Sequence, residues 1–239
     1  MKQNVRLIDH KEYSGYFNHP TAYVVLVVFL VISGYFFSST LFLNNEANMR
    51  FLFETVVPLI FLFFIPAITM GLISREKNVG TFELLTTLPL TDSEIVLGKF
   101  LAALKLVLVG LAFTAMHVLT IVLLGENVDY GALVCGYLGL VLLAAVNTAI
   151  GIFASSLTAD QIVAFIIAFL ITLFFYVLYI ILPIIPSTLV GGFQYISFFY
   201  HLRNISRGVI DTRNLIYFIT LTIVFLRLAV VVMESRKWR

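Results

Sequence analysis

Six long apolar blocks make up most of this chain, and short polar stretches separate them. The blocks cover residues 21–43, 51–73, 100–124, 130–153, 162–182 and 215–233. A helix rises 1.5 Å per residue, so the 23 residues of the first block extend to about 34 Å and can cross a ~30 Å hydrocarbon core. The pattern therefore predicts an all-α integral membrane protein with six spans in one transmembrane domain, residues 1–239. Pro58 and Pro66 fall inside the second block and predict two kinks, because each proline removes a helix hydrogen bond.

Two stretches fit neither a span nor a simple turn. Residues 1–20 mix Lys2, Arg6, Asp9, His10, Lys11 and Glu12 with Val5, Leu7, Ile8, Tyr13, Tyr16 and Phe17. Helical spacing places Val5, Ile8 and Tyr16 roughly on one face, which predicts an interfacial helix lying on the membrane and ended by His19-Pro20. Residues 183–214 are too polar to span and too apolar for a free loop. Pro183, Pro186 and Gly191-Gly192 break this stretch, and Phe193, Tyr195, Phe198, Phe199 and Tyr200 give it an aromatic face. It predicts one or two short re-entrant or surface helices on the outer leaflet, with His201, Arg207 and Asp211 as its candidate polar residues.

The longest polar interruption in the first half is REKNVGTFELLTTLPLTDSEIVLGK, residues 75–99. Gly80-Thr81 reads as a break followed by a helix start. Phe82, Leu84, Leu85 and Leu88 give a short helix its apolar side, and Pro89 stops it. Thr91 followed by Glu94 three residues on is a capping-box pattern that starts the next helix. A short amphipathic helix between two spans offers a docking surface to something outside the membrane.

This stretch resembles the ABC-2 type transporter permeases. Glu76, Gly80, Thr81, Glu83, Leu85, Pro89, Ile95, Gly98 and Lys99 match the pattern E-x-x-x-G-T-x-E-x-L-x-x-x-P-x-x-x-x-x-I-x-x-G-K. ISFFYHLRNISRGVIDTRNLIYF is similar to the same family, in particular to the branch of the gliding-motility ABC permease and of the permease accompanying nitrous-oxide reductase. The resemblance implies a coupling helix that lies against a cytoplasmic ABC ATPase, with Glu76, Gly80, Thr81, Phe82, Glu83, Leu84, Leu85 and Pro89 as the coupling residues. It also implies a homodimer or a heterodimer with a related permease, ATP and Mg bound only by the ATPase, a bacterial inner-membrane location, and room for an accessory protein outside the membrane.

Composition agrees with a membrane protein. The chain is 61% hydrophobic and 12% charged, with mean hydropathy +1.03, whereas soluble domains carry about 25% charged residues. A net charge of only +2 argues against nucleic acid as a partner. The single cysteine, Cys135, excludes an intramolecular disulfide and a cysteine metal cluster. The first apolar run follows a polar stretch and is longer than a signal-peptide core, so it is expected to be a retained span.

Lysine and arginine near the span ends set the expected orientation. Lys2, Arg6, Lys11, Arg75, Lys77, Lys99, Arg236, Lys237 and Arg239 lie on the side of the termini, and Arg50, Arg203, Arg207 and Arg213 on the other, nine against four. The positive-inside bias places both termini and the 75–99 segment in the cytoplasm.

Several polar residues interrupt the spans. Glu54 is expected to reach water at an outer end, Lys105 to snorkel toward Lys99, and Arg227 to snorkel inward. His117 is expected to serve packing or hydrogen bonding, and Asn147 to bond a neighbouring helix. The small residues of block four, Gly136, Gly139, Ala144, Ala145, Ala149 and Gly151 among them, predict close helix packing.

Three function classes remain open. No G-x-x-x-x-G-K-[ST] occurs, so a transport subunit needs its ATPase on another chain. A membrane scaffold that drives an outer partner would use the same segment. An intramembrane enzyme would have to draw on Ser33, His117, Asn147, Ser155 and His201, for which no catalytic motif is present. Membrane lipid is the expected surrounding, and neither a catalytic residue nor a metal ligand is assigned.

Overall fold

The computed structural model describes residues 2–18, 20–43, 48–81, 90–124, 128–184, 186–209 and 211–235, and the regular structure among them is entirely helical. Six helical stretches are long and apolar enough to cross a membrane: Ala22–Phe42, Leu52–Val79, Asp92–Leu123, Tyr130–Leu157, Gln161–Ile181 and Thr212–Glu234. The chain is an all-α membrane protein.

The first helix, α1 (Lys2–Asn18), precedes the first span, α2 (Pro20–Leu43). The second span is in pieces. A π-helical turn, Leu52–Val56, leads into α3 (Val57–Thr69), and α4 (Gly71–Val79) follows a break at Met70. Pro58 stands in the first turn of α3, directly after the π-helical turn, whereas Pro66 lies inside α3 and the Met70 N–H still donates to its carbonyl at 2.8 Å. The third span is α5 (Asp92–Phe113) and α6 (Ala115–Leu124), separated at Thr114. Thr114 Oγ1 donates to the Leu111 carbonyl at 2.6 Å and lies 3.0 Å from the Tyr137 hydroxyl of the fourth span.

Both helices that flank the 75–99 segment reach beyond blocks 51–73 and 100–124. No breaker stands between Ile73 and Gly80, so the second span stays helical through Val79. Thr91 caps α5: its side chain accepts from the Glu94 N–H, and the Glu94 carboxylate accepts from the Thr91 N–H at 3.0 Å. The polar segment is thus helical at both flanks. The helix expected around 81–88, with Phe82, Glu83, Leu84, Leu85 and Pro89, lies outside the described residues.

The fourth span, α7 (Tyr130–Leu157), runs through the middle of the bundle. Its glycines admit the neighbours. A Cβ on Gly136 would stand 2.2 Å from the Phe53 ring, one on Gly139 2.9 Å from Leu202, and one on Gly151 1.9 Å from Thr69 Oγ1. Gly151→Ala should therefore lower stability by about 1–3 kcal/mol through overpacking. Thermal melting in detergent reads the loss, and adding Thr69→Gly should recover part of it. Unchanged melting of the single variant would show that the helices separate freely here.

The fifth span is α8 (Gln161–Ile181), and the sixth is α11 (Thr212–Glu234). Between them, α9 (Ser187–Ile196) and α10 (Phe198–Ser206) extend to only about 15 Å each, too short to cross. Helix α10 turns Phe198, His201, Leu202 and Ile205 inward onto α7.

Candidate functional site

The described flanks of residues 75–99 form a polar latch at one end of the bundle. Lys99 is 1% exposed, and its Nζ lies 2.7 Å from Glu76 Oε1 and 2.8 Å from Glu12 Oε1. One buried ammonium thus ties together α1, the end of the second span and the start of the third. Gly98 makes the approach possible, since a Cβ there would stand 2.7 Å from Ile8 on α1. Asn4 donates to Glu94 at 3.3 Å, Lys105 pairs with Asp9, and the Tyr16 hydroxyl donates to the Ile68 carbonyl at 3.0 Å. Burial, reinforced by nearby Glu12, pushes the Tyr16 phenol far up, so it stays a donor. Lys105 therefore reaches a partner on α1 in addition to pointing back toward this end. The N-terminal helix is held by specific bonds, which amphipathic spacing alone did not reveal.

A second set of bonds fixes the break in the second span. Ser155 Oγ of α7 accepts from the N–H groups of Ile73 and Ser74, each at 3.0 Å, and donates to the Met70 carbonyl at 2.8 Å. The backbone groups released at the break thereby find partners inside the protein, as a membrane environment demands. Lys77 reaches the Ser156 carbonyl, and Asn78 donates to the Ala159 carbonyl at 3.3 Å. Helix α4 is thus joined to the end of α7 and to the turn after it. Gly80 closes α4 in the left-handed region at φ 78°, a conformation that side chains resist. Thr81 Oγ1 donates to the Glu76 carbonyl at 3.4 Å.

Of the coupling residues expected from sequence, the structure brings Glu76 into the latch and places Gly80 and Thr81 at the cap. Phe82, Glu83, Leu84, Leu85 and Pro89 lie outside the described residues. Asp9, Glu12 and Ser155 complete the arrangement without having been singled out for it. Their partners are 80 to 100 positions away in the chain, for example 87 for Glu12 and 82 for Ser155 with Ile73, so no local pattern marked them.

The opposite end is built differently. Glu54 accepts from Arg50 Nε at 2.9 Å and Ser206 Oγ at 2.8 Å, with Arg203 Nε at 3.4 Å. It is a tie between the second span and α10 rather than a group turned only to water. His201 is buried, with Nε2 2.9 Å from the Tyr195 carbonyl, Nδ1 2.7 Å from Asn214 Oδ1, and its ring stacked on Tyr217. Arg207 lines a cavity of about 280 Å³ with Arg50, Asp129 and Ser206. Asp211 caps α11 by accepting from the Arg213 N–H. These three residues therefore have separate surroundings in the 183–214 segment.

His201 and Ser155, two of the residues an intramembrane enzyme would draw on, stand apart. Gly139, against which Leu202 packs, and Ser155 lie 16 residues apart on α7, about 24 Å along the helix. His201 next to Leu202 and Ser155 are thus at different ends. His117 stacks on Phe37 with ring centroids 4.5 Å apart, and its Nε2 has no hydrogen-bond partner among the described residues. Among those residues no group of His, Cys, Asp and Glu is arranged to hold a metal.

The family description "ABC-2 family transporter protein" matches residues 22–238, nearly the whole chain. The chain belongs to the ABC-2 transporter family. No curated protein gives a significant match. As an ABC-2 permease it is the membrane subunit of an ABC transporter, and the match covers all six spans together with Glu76, Lys99 and Ser155. Asp9 and Glu12 precede the matched region, so this permease's N-terminal latch is read from its own structure.

Proposed function

We propose that this permease couples ATP hydrolysis by a separate cytoplasmic ATPase to export, or to a conformational signal, across a bacterial inner membrane. The observation that carries the proposal is the build of the end where the second and third spans meet. Helix α4 leaves the membrane region as a stiff extension pinned by Ser155, Lys77 and Asn78 to α7 and its following turn. The third span returns from a capping box and is braced by Lys99 and Glu76. A push on residues 82–89 between them would reach the second, third and fourth spans together. ATPase closure is the expected source of that push, with two permease subunits facing two ATPases. If the resemblance of ISFFYHLRNISRGVIDTRNLIYF to the gliding-motility and nitrous-oxide-reductase branch extends to function, an accessory protein would meet the permease on the outer side.

The proposal requires the latch to face the cytoplasm, as the nine-to-four basic bias expects. A cysteine placed at Asn48 should react with a membrane-impermeant maleimide on intact cells, and one at Asn78 should react only after permeabilisation. Labelling of the Asn78 position from outside would overturn both the orientation and the coupling role. Purification of the tagged chain from its native membrane should also retain an ABC ATPase. Recovery of the chain with no ATPase would remove the proposed partner.

A further inference from the structure

A cleft of about 470 Å³ opens beside the latch, between α1, the break in the second span and the start of α8. Its rim carries Lys11, Arg75 and Gln161; no side-chain hydrogen bond or salt bridge joins them to another described residue, and Lys11 acts on Glu76 only through its charge. Glu12 and Glu76 also line it, but Lys99 holds both from behind, so three cations stand against two carboxylates. Gly15 and Gly71 keep the cleft open, and nothing lies within 4 Å of a Cβ built on Gly15. The floor is Ala67, Ile68 and Leu72.

The surroundings of the cleft indicate what kind of molecule it suits. Arg75 lies 23 residues beyond Leu52, about 34 Å along the span, which is the depth of a headgroup layer when the other end is at the opposite surface. Exposed apolar side chains lead away from the cleft into the membrane region. Leu59 and Phe63 precede Ala67 at intervals of one turn, and Ile162 and Ile166 follow Gln161 on α8. Cationic and amide donors at one end of an apolar track match an amphiphile with an anionic head, and a soluble anion would make no use of the track.

We infer that this cleft binds the phosphate headgroup of an anionic phospholipid, with Lys11, Arg75 and Gln161 as donors and the acyl chains laid along Leu59, Phe63 and Ile162. The lipid would fill the space between α1 and the break at Met70, so it would stiffen the part of the permease that the latch holds. The inference needs a membrane-embedded chain but no ATPase, and it can fail or succeed independently of the coupling role.

Native mass spectrometry of the purified permease, titrated with phosphatidylglycerol and with phosphatidylcholine, tests it. The parent should retain phosphatidylglycerol preferentially. Lys11→Gln with Arg75→Gln should lower that preference about thirty-fold, since each basic group near an anionic surface contributes roughly five- to six-fold. Gly15→Leu keeps both charges and should displace the lipid by filling the cleft, without lowering the melting temperature. Equal retention of phosphatidylglycerol by the parent and both variants would overturn the site. Displacement of the lipid by inorganic phosphate at similar concentration would show a soluble-anion site and overturn the lipid assignment.

Discussion

Lys99→Met is expected to lower stability by about 3 kcal/mol and to release the N-terminal helix from the bundle. The substitution removes one charge and leaves two. Glu12 and Glu76 both approach Nζ within 2.8 Å, so without it they face each other across a vacated space. Removing one partner of a buried ion pair typically costs ~3–5 kcal/mol, because the remaining charge is left uncompensated. The lower end applies here, since the two carboxylates keep side-chain exposures of 20% and 18% and some water can reach them. Methionine preserves most of the volume, which isolates the charge from the packing. Hydrogen exchange should rise across residues 2–18, because the Lys105–Asp9, Asn4–Glu94 and Tyr16–Ile68 contacts and the packing of Ile8 on Gly98 are then left to hold α1 against the exposed repulsion of Glu12 and Glu76. Adding Glu12→Gln and Glu76→Gln should restore most of the loss, because the buried repulsion is then gone. A single variant that melts like the parent, with unchanged exchange in α1, would show that the latch contributes nothing.

Leu85→Asp is expected to weaken assembly with the ATPase about thirty-fold while leaving membrane insertion intact. With Phe82 and Leu84 it is one of the large apolar residues of the sequence between the two described flanks, and the family resemblance makes it an expected anchor. Interface anchors are typically large apolar or aromatic groups, and truncating one often costs ~2 kcal/mol or more, which corresponds to that factor. A carboxylate in place of leucine adds a desolvation penalty to the lost contact. Pull-down of the ATPase by parent and variant at matched permease concentration reads the difference. Equal recovery would mean that the segment is a solvated connection.

The two substitutions probe features that were legible in the sequence to different degrees. The six spans could be read directly, because a bilayer demands about twenty apolar residues with their backbone bonds closed internally. The start of α5 was legible for a local reason: Thr91 and Glu94 satisfy each other within one turn. Gly80 was readable as a break, and its φ of 78° explains why glycine stands there. The short helices α9 and α10 followed from the clash between aromatic and charged residues in one segment. What stayed hidden was pairing across the fold. Ser155 stood in the sequence only among the residues an intramembrane enzyme would draw on, yet it closes the backbone at Met70, 85 positions away. Glu54 looked like a water-facing carboxylate, and its bond to Ser206 depends on where α10 folds back. Lys99 carried a motif signal, but its second partner, Glu12, lies on a helix whose docking depends on tertiary packing.

ATP turnover by the ATPase, reconstituted in nanodiscs with the permease, tests most directly whether residues 75–99 carry the coupling. The comparison needs three permeases: the parent, Leu85→Asp, and Gly80→Val, which forces a β-branched side chain into the left-handed conformation that ends α4. The account predicts that the parent changes the ATPase's turnover and that both variants lose that change, although each remains folded and inserted. Parent-like turnover with both variants would contradict it.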